Sequence, residues 1–188
     1  MKKIYIFSFL CVLFLAAISA RAQDPTPANL PAEPVSINLK GADGKTYDVA
    51  SMRGQVVLVS FGATWCQPCK EELRALEQLK KEYKDRPVKF LWVSIESEED
   101  VSDGGLRNYA KQLKLSFPVL RDPDKRTFDR FSQRLRLPTI LFFDRDGRIS
   151  LPNHVGMADV AVYMAKMRER LDKLLAGDVS TRTRRVGN

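Results

Sequence analysis

Residues 56–72 read VVLVSFGATWCQPCKEE, and this stretch decides the fold. Val56 to Phe61 form an apolar run broken only by Ser60, the pattern of a strand covered by helices on both faces. From Glu71 to Lys84 the period changes. Leu73, Leu76, Leu79 and Tyr83 fall near one face and charges fill the other, which predicts an amphipathic helix. Cys66 and Cys69 stand where the strand gives way to the helix. Their spacing lets the two sulfurs meet across one helical turn and close a small disulfide ring. Cys66, at the helix N-terminus, faces free backbone N–H groups and the positive end of the helix dipole, both of which favour a thiolate. Cys69 lies one turn deeper and shielded, and acts on a sulfur already joined to Cys66. Cys66 is therefore the expected nucleophile and Cys69 the resolving thiol.

Two plainer readings of the cysteines are weaker. A purely structural disulfide of this spacing closes a tiny loop and adds little stability. A zinc site needs two more ligands, but His154 is the single histidine and the third cysteine, Cys11, lies in an N-terminal apolar segment. No metal and no cofactor are expected; the redox group is the Cys66–Cys69 pair itself.

Working outward, Val88 to Ile95 reads as a second buried strand. Glu98 to Leu115 reads as helical in its second half, with Gly104-Gly105 weakening the start. Phe117 to Leu120 suits a short edge strand, Lys125 to Leu135 a helix, and Thr139 to Phe143 a third strong strand. Asp146-Gly147 turns that strand into an antiparallel neighbour from Arg148 to Leu151. The last helix is predicted from about Ala158 to Leu175, with Gly177 as its stop. Its Met164 and Met167 are expected to pack in the core. Upstream, residues 35–39 alternate and Asp43-Gly44 signals a turn before Thr46 to Val49, which predicts a hairpin. The order implies an α/β sandwich around a mixed sheet.

The 188 residues allow one domain plus short extensions. At 44% hydrophobic the chain can build a core. Residues 1–22 read as a signal peptide: Lys2 and Lys3, an apolar stretch from Ile4 to Ile18, and Ala20-Arg21-Ala22 as a cleavage site. The alternative is an uncleaved membrane anchor over Ile4 to Ala20. Either way the protein is expected outside the cytoplasm, where disulfides are allowed. Pro25, Pro27, Pro31 and Pro34 make residues 23–34 a stiff linker, the folded domain is expected over 35–176, and 177–188 reads as a flexible basic tail. Without Lys2, Lys3 and Arg21 the formal charge falls from +8 to +5. Much of that excess sits in the tail, so no nucleic-acid partner is expected.

On these residues the chain resembles the thioredoxin superfamily and, more narrowly, the exported TlpA/ResA-type thiol–disulfide oxidoreductases. The resemblance spans residues 35–176. It rests on 56–72, the N-terminal hairpin, the extra segment from about Glu98 to Leu120, and Leu137-Pro138-Thr139-Ile140. It implies a thioredoxin-like fold with an N-terminal β-hairpin and a central insertion. It also implies a cis Pro138 facing the cysteines, although Pro138 alone would read as the start of an edge strand. By the same resemblance Leu137 pairs its backbone with extended client chains, beside Trp65 and Thr139. Glu72 is implied as the acid that manages the proton of Cys69; its plainer reading is a solvated carboxylate like Glu71. Glu96 is a candidate second acid lining the same cavity. Gln67-Pro68 offers no stabilising histidine between the cysteines, which by resemblance suits a reductase. Two departures stand out. Ser60 occupies the position where cytoplasmic thioredoxins bury an aspartate. Gly62 stands where many relatives carry tryptophan, which is expected to open the surface beside Trp65.

The function so implied is an exported reductase in a bacterial periplasm or envelope. It would be a monomer, kept reduced by a membrane thiol donor, that opens disulfides in client proteins, apocytochrome c or copper-site proteins being the client classes. The rival readings are a dithiol oxidant or isomerase, and a copper-delivery module using Cys66, Cys69 and a third donor such as His154. A peroxidase of the peroxiredoxin type ranks last, because Thr64 sits at the wrong offset from Cys66.

Overall fold

The computed structural model describes residues 36–185. The expected leader (1–22), the linker (23–34) and the final three residues lie outside them. Strand β3 (Val56–Gly62) is buried at all seven positions, as a strand sandwiched between helices must be. It pairs in parallel with β4 (Val88–Ser94) and antiparallel with β6 (Thr139–Phe143). With β5 (Val119–Arg121) and β7 (Ile149–Val155) at the edges, the sheet order is β5-β4-β3-β6-β7. The hairpin β1 (Asn38–Lys40) and β2 (Thr46–Asp48) forms a separate two-stranded sheet, turned at Gly44 with φ +81°. Ala42 N–H donates to the Val119 carbonyl at 2.8 Å, so this hairpin covers the β5 edge of the main sheet.

Helices α1 (Gln67–Glu82), α2 (Asp103–Gln112), α3 (Arg126–Asp129) and α4 (Val160–Arg185) complete the fold. The two faces of β3 feed two cores, as the two-residue period of a strand demands. Val56 and Leu58 pack with Leu73, Leu76 and Leu79 of α1 and with Tyr163, Met164, Met167 and Leu171 of α4. Val57, Val59 and Phe61 pack with Ile37, Phe128, Leu141 and Phe143, together with both cysteines. The mixed α/β sandwich expected from the sequence is the fold observed, and the methionines of α4 are core residues.

Three elements differ from expectation. The helix expected over 125–135 is a single turn. Phe128 is its one buried residue and Leu135 is exposed, so a longer helix would gain little tertiary support. The start of α2 survives Gly104-Gly105 because Ser102 Oγ accepts from Gly105 N at 3.1 Å. Helix α4 does not stop at Gly177 but runs to Arg185. Gly177 is absent from the left-handed glycines that could end a helix, and a helical glycine costs only about 1 kcal/mol relative to alanine.

Candidate active site

Where β3 ends, the chain turns through Ala63–Trp65 and enters α1 with Cys66 as its N-cap. Cys66 Sγ accepts from Cys69 N at 3.2 Å, so the sulfur occupies the place of a capping oxygen. Pro68 falls in the first turn, where its missing N–H costs nothing. Cys66 and Cys69 form a disulfide, with Cα atoms 5.2 Å apart. Cys66 is 6% exposed and Cys69 0%, so the sulfur that an incoming thiolate can reach belongs to Cys66. Trp65, beside it, is 65% exposed. Gln67 and Pro68 are also exposed.

Glu72, one turn beyond Cys69, is fully buried and not the solvated carboxylate of the plainer reading. Ser60 Oγ donates to its Oε2 at 2.7 Å, and Tyr163 Oη donates to its Oε1 at 3.1 Å. Loss of water pushes its pKa up to about 8, against the pull of both hydrogen bonds, which favour the ionised form. Tyr163 is in turn raised well above the usual tyrosine value, first by burial and then by the neighbouring carboxylate. Sequence reasoning passed over Tyr163, which is 91 residues from Glu72. The stripe Tyr163, Met167, Leu171 at four-residue spacing was the available signal.

Glu96 does a different job. It accepts from Thr64 N at 2.7 Å, Thr64 Oγ1 at 2.6 Å and Ser94 Oγ at 2.9 Å. It therefore ties the loop that presents Trp65 and Cys66 to the end of β4. Among the described residues Glu72 and Glu96 have separate hydrogen-bond partners, Ser60 and Tyr163 for the first, Thr64 and Ser94 for the second.

The Leu137–Pro138 peptide is cis. Phe61 pairs with Thr139 across β3 and β6, so Pro138 stands level with the strand end from which the cysteine loop departs. Leu137 is half-buried and Pro138 buried. The Thr139 side chain is not offered for docking: it is buried, and its hydroxyl donates to the Arg136 carbonyl at 2.6 Å.

The expectation for Gly62 is overturned. This residue is buried and opens no surface beside Trp65. A Cβ there would lie 2.7 Å from Trp92 Nε1 and 3.3 Å from Cys69 Sγ, so the Trp92 indole has moved into the space a side chain at 62 would need. His154, half-buried on β7, meets Gly156 O at 3.0 Å through Nε2 and packs edge-on to Tyr163. Among the described residues no group of three or more His, Cys, Asp or Glu is assembled that could hold a metal.

The profile of the AhpC/TSA family matches residues 32–151. The thioredoxin-like protein YneN of Bacillus subtilis is 33% identical over 135 residues, 72% of this chain and 74% of that protein. The thiol-disulfide oxidoreductase ResA of Bacillus cereus is 30% identical over 107 residues, 57% of this chain. The match spans 59% of the length of that relative. Among solved structures, a thiol:disulfide interchange protein of the thioredoxin family from Chlorobium tepidum superposes with a TM-score of 0.58. It is 27% identical and covers 70% of this chain and 92% of its own.

Proposed function

Since the chain belongs to the AhpC/TSA family and has a thioredoxin-like fold with a disulfide-forming Cys66–Cys69 pair, we propose that it is an exported thiol–disulfide oxidoreductase that reduces disulfides in client proteins. The observation that carries this reading is the arrangement around the pair: an outer sulfur capping a helix, an inner sulfur with no exposure, and a buried acid of raised pKa one turn below. The Cys66 thiolate attacks the client disulfide and forms a mixed disulfide, releasing one client thiolate. Cys69 then attacks Cys66 Sγ, its proton passing to the Glu72 carboxylate, and the second client sulfur leaves as a thiolate that takes its proton from solvent. A membrane thiol donor restores the dithiol by giving two electrons and two protons.

The client class we favour is an apocytochrome c carrying an oxidised haem-attachment pair of the C-x-x-C-H kind. The site of action is a bacterial envelope, in keeping with the leader read in residues 1–22, and the working form is a monomer. Trp65 and the Leu137 backbone are the docking elements. Titration of the full chain against a thiol buffer, read by tryptophan fluorescence, tests the direction. A potential near −270 mV supports a reductase, and one near −120 mV overturns it in favour of an oxidant.

A further inference from the structure

Trp92 on β4 is fully buried, yet its indole Nε1–H has no hydrogen-bond partner among the described residues. An orphaned buried donor forfeits its solvation without recompense, so a fold that keeps one calls for a reason. Its position supplies one. The point where a Cβ of Gly62 would sit is 2.7 Å from Trp92 Nε1 and 3.3 Å from both Cβ and Sγ of Cys69. The indole donor and the inner sulfur thus both lie against the bare Gly62 backbone where a side chain would stand, and no methyl group fits between them.

We propose that Trp92 is the hydrogen-bond donor to Cys69 in the dithiol state, and that Gly62, by carrying no side chain, lets the indole and the sulfur approach each other. This rests on the redox reading of the Cys66–Cys69 pair. In the disulfide, Cys69 Sγ is held to Cys66 and is a weak acceptor. Reduction by a dithiol delivers two electrons and two protons; the S–S bond breaks, the donor dithiol becomes a disulfide, and each cysteine ends as a thiol. The Cys69 sulfur is then free to turn about its Cα–Cβ bond toward the indole Nε1–H, with no side chain at Gly62 between them. There it is a better acceptor, and best as the thiolate that resolves the mixed disulfide. The indole gives a hydrogen bond and no proton. Its effect is to favour the reduced pair and to lower the pKa of Cys69, the thiol otherwise disfavoured as an anion by its burial.

The test is the Trp92→Phe variant of the full chain, equilibrated with a dithiothreitol buffer beside the wild type. The expected result is a shift of about tenfold toward the disulfide, about 30 mV more negative, with the thiolate absorbance of Cys69 in a Cys66→Ser background titrating at higher pH. Gly62→Ala, which sets a methyl group between the indole and the sulfur while retaining the indole, moves the potential the same way. Because that variant forces Trp92 to shift, Trp92→Phe carries the decision if Gly62→Ala fails to fold. A purely packing role for Trp92 would lower the denaturation midpoint of both redox states alike and leave the potential unmoved. Equal potentials for Trp92→Phe and a wild type that cycles normally overturn the proposal alone. A wild type that forms no reversible disulfide overturns the redox reading with it.

Discussion

Ser60 Oγ donates to Glu72 Oε2 at 2.7 Å. The strand position that holds an acid in cytoplasmic thioredoxins here holds a hydroxyl, and the acid reaches it from the adjoining helix. The carboxyl group is thereby placed on α1, in the turn after Cys69, with Tyr163 closing its other oxygen.

Glu72, with a pKa raised to about 8, is mostly protonated at neutral pH and becomes a proton acceptor as pH rises through that value. The rate of client disulfide reduction is expected to show a rising limb near pH 8 that Glu72→Gln removes. Both hydrogen bonds to the carboxylate lower its pKa, so Tyr163→Phe and Ser60→Ala must raise it and move the limb to higher pH. Stopped-flow rates between pH 6 and 10 check this, and a limb that moves down in Tyr163→Phe contradicts it.

The same shift couples to stability. Glu72 holds its proton more tightly folded than unfolded, where its value is 4.5, so the folded state binds more protons between the two values. Its contribution is fully present below about pH 4.5 and is lost as pH rises through about 8. The loss for a group so buried is on the order of several kcal/mol, limited by relaxation around the carboxylate. Urea midpoints of the oxidised protein at pH 5 and pH 9 are expected to fall further for wild type than for Glu72→Gln. Equal drops would show that Glu72 does not titrate in the folded protein.

Glu96 anchors the loop before Trp65 through two hydrogen bonds from Thr64, and a third from Ser94 ties it to β4. Glu96→Ala leaves the Thr64 N–H and two hydroxyls without that acceptor, at a cost of about 2 kcal/mol. Denaturant titration measures the cost, and hydrogen exchange localises it: the Thr64 amide, protected in wild type, is expected to exchange freely in the variant. Protection retained at Thr64 would mean that another group holds the loop.

What the sequence made legible follows from locality. The apolar run at 56–61, the one-face spacing of Leu73, Leu76, Leu79 and Tyr83, and the two cysteines at their junction are each contained within a few turns of chain, so periodicity reads them. Two of the misses involve partners far apart in sequence. Tyr163 joins Glu72 only because α4 packs against α1, and Gly62 is closed by Trp92 from the neighbouring strand. Taken alone, an absent side chain at 62 implies open surface, but the Trp92 indole, 30 residues away in sequence, occupies that space. The short α3 has a different cause, since Phe128 is its one buried residue and Leu135, a turn and more beyond it, is exposed.

Trp65 bears on whether clients are selected at all. At 65% exposure it contributes little to the core, so Trp65→Ala should leave the denaturation midpoint within about 0.5 kcal/mol of wild type. A tryptophan at a docking surface costs about 2 kcal/mol or more when truncated, close to a thirtyfold loss of productive encounter. That loss applies to a substrate with a polypeptide to dock and not to a small disulfide that meets only Cys66 Sγ. Reduction of an oxidised C-x-x-C-H peptide is therefore expected to slow by about that factor, while exchange with oxidised glutathione stays unchanged. If both reactions slow together, Trp65 acts on the reactivity of Cys66 itself, and client docking must be sought on the Leu137 side of the site.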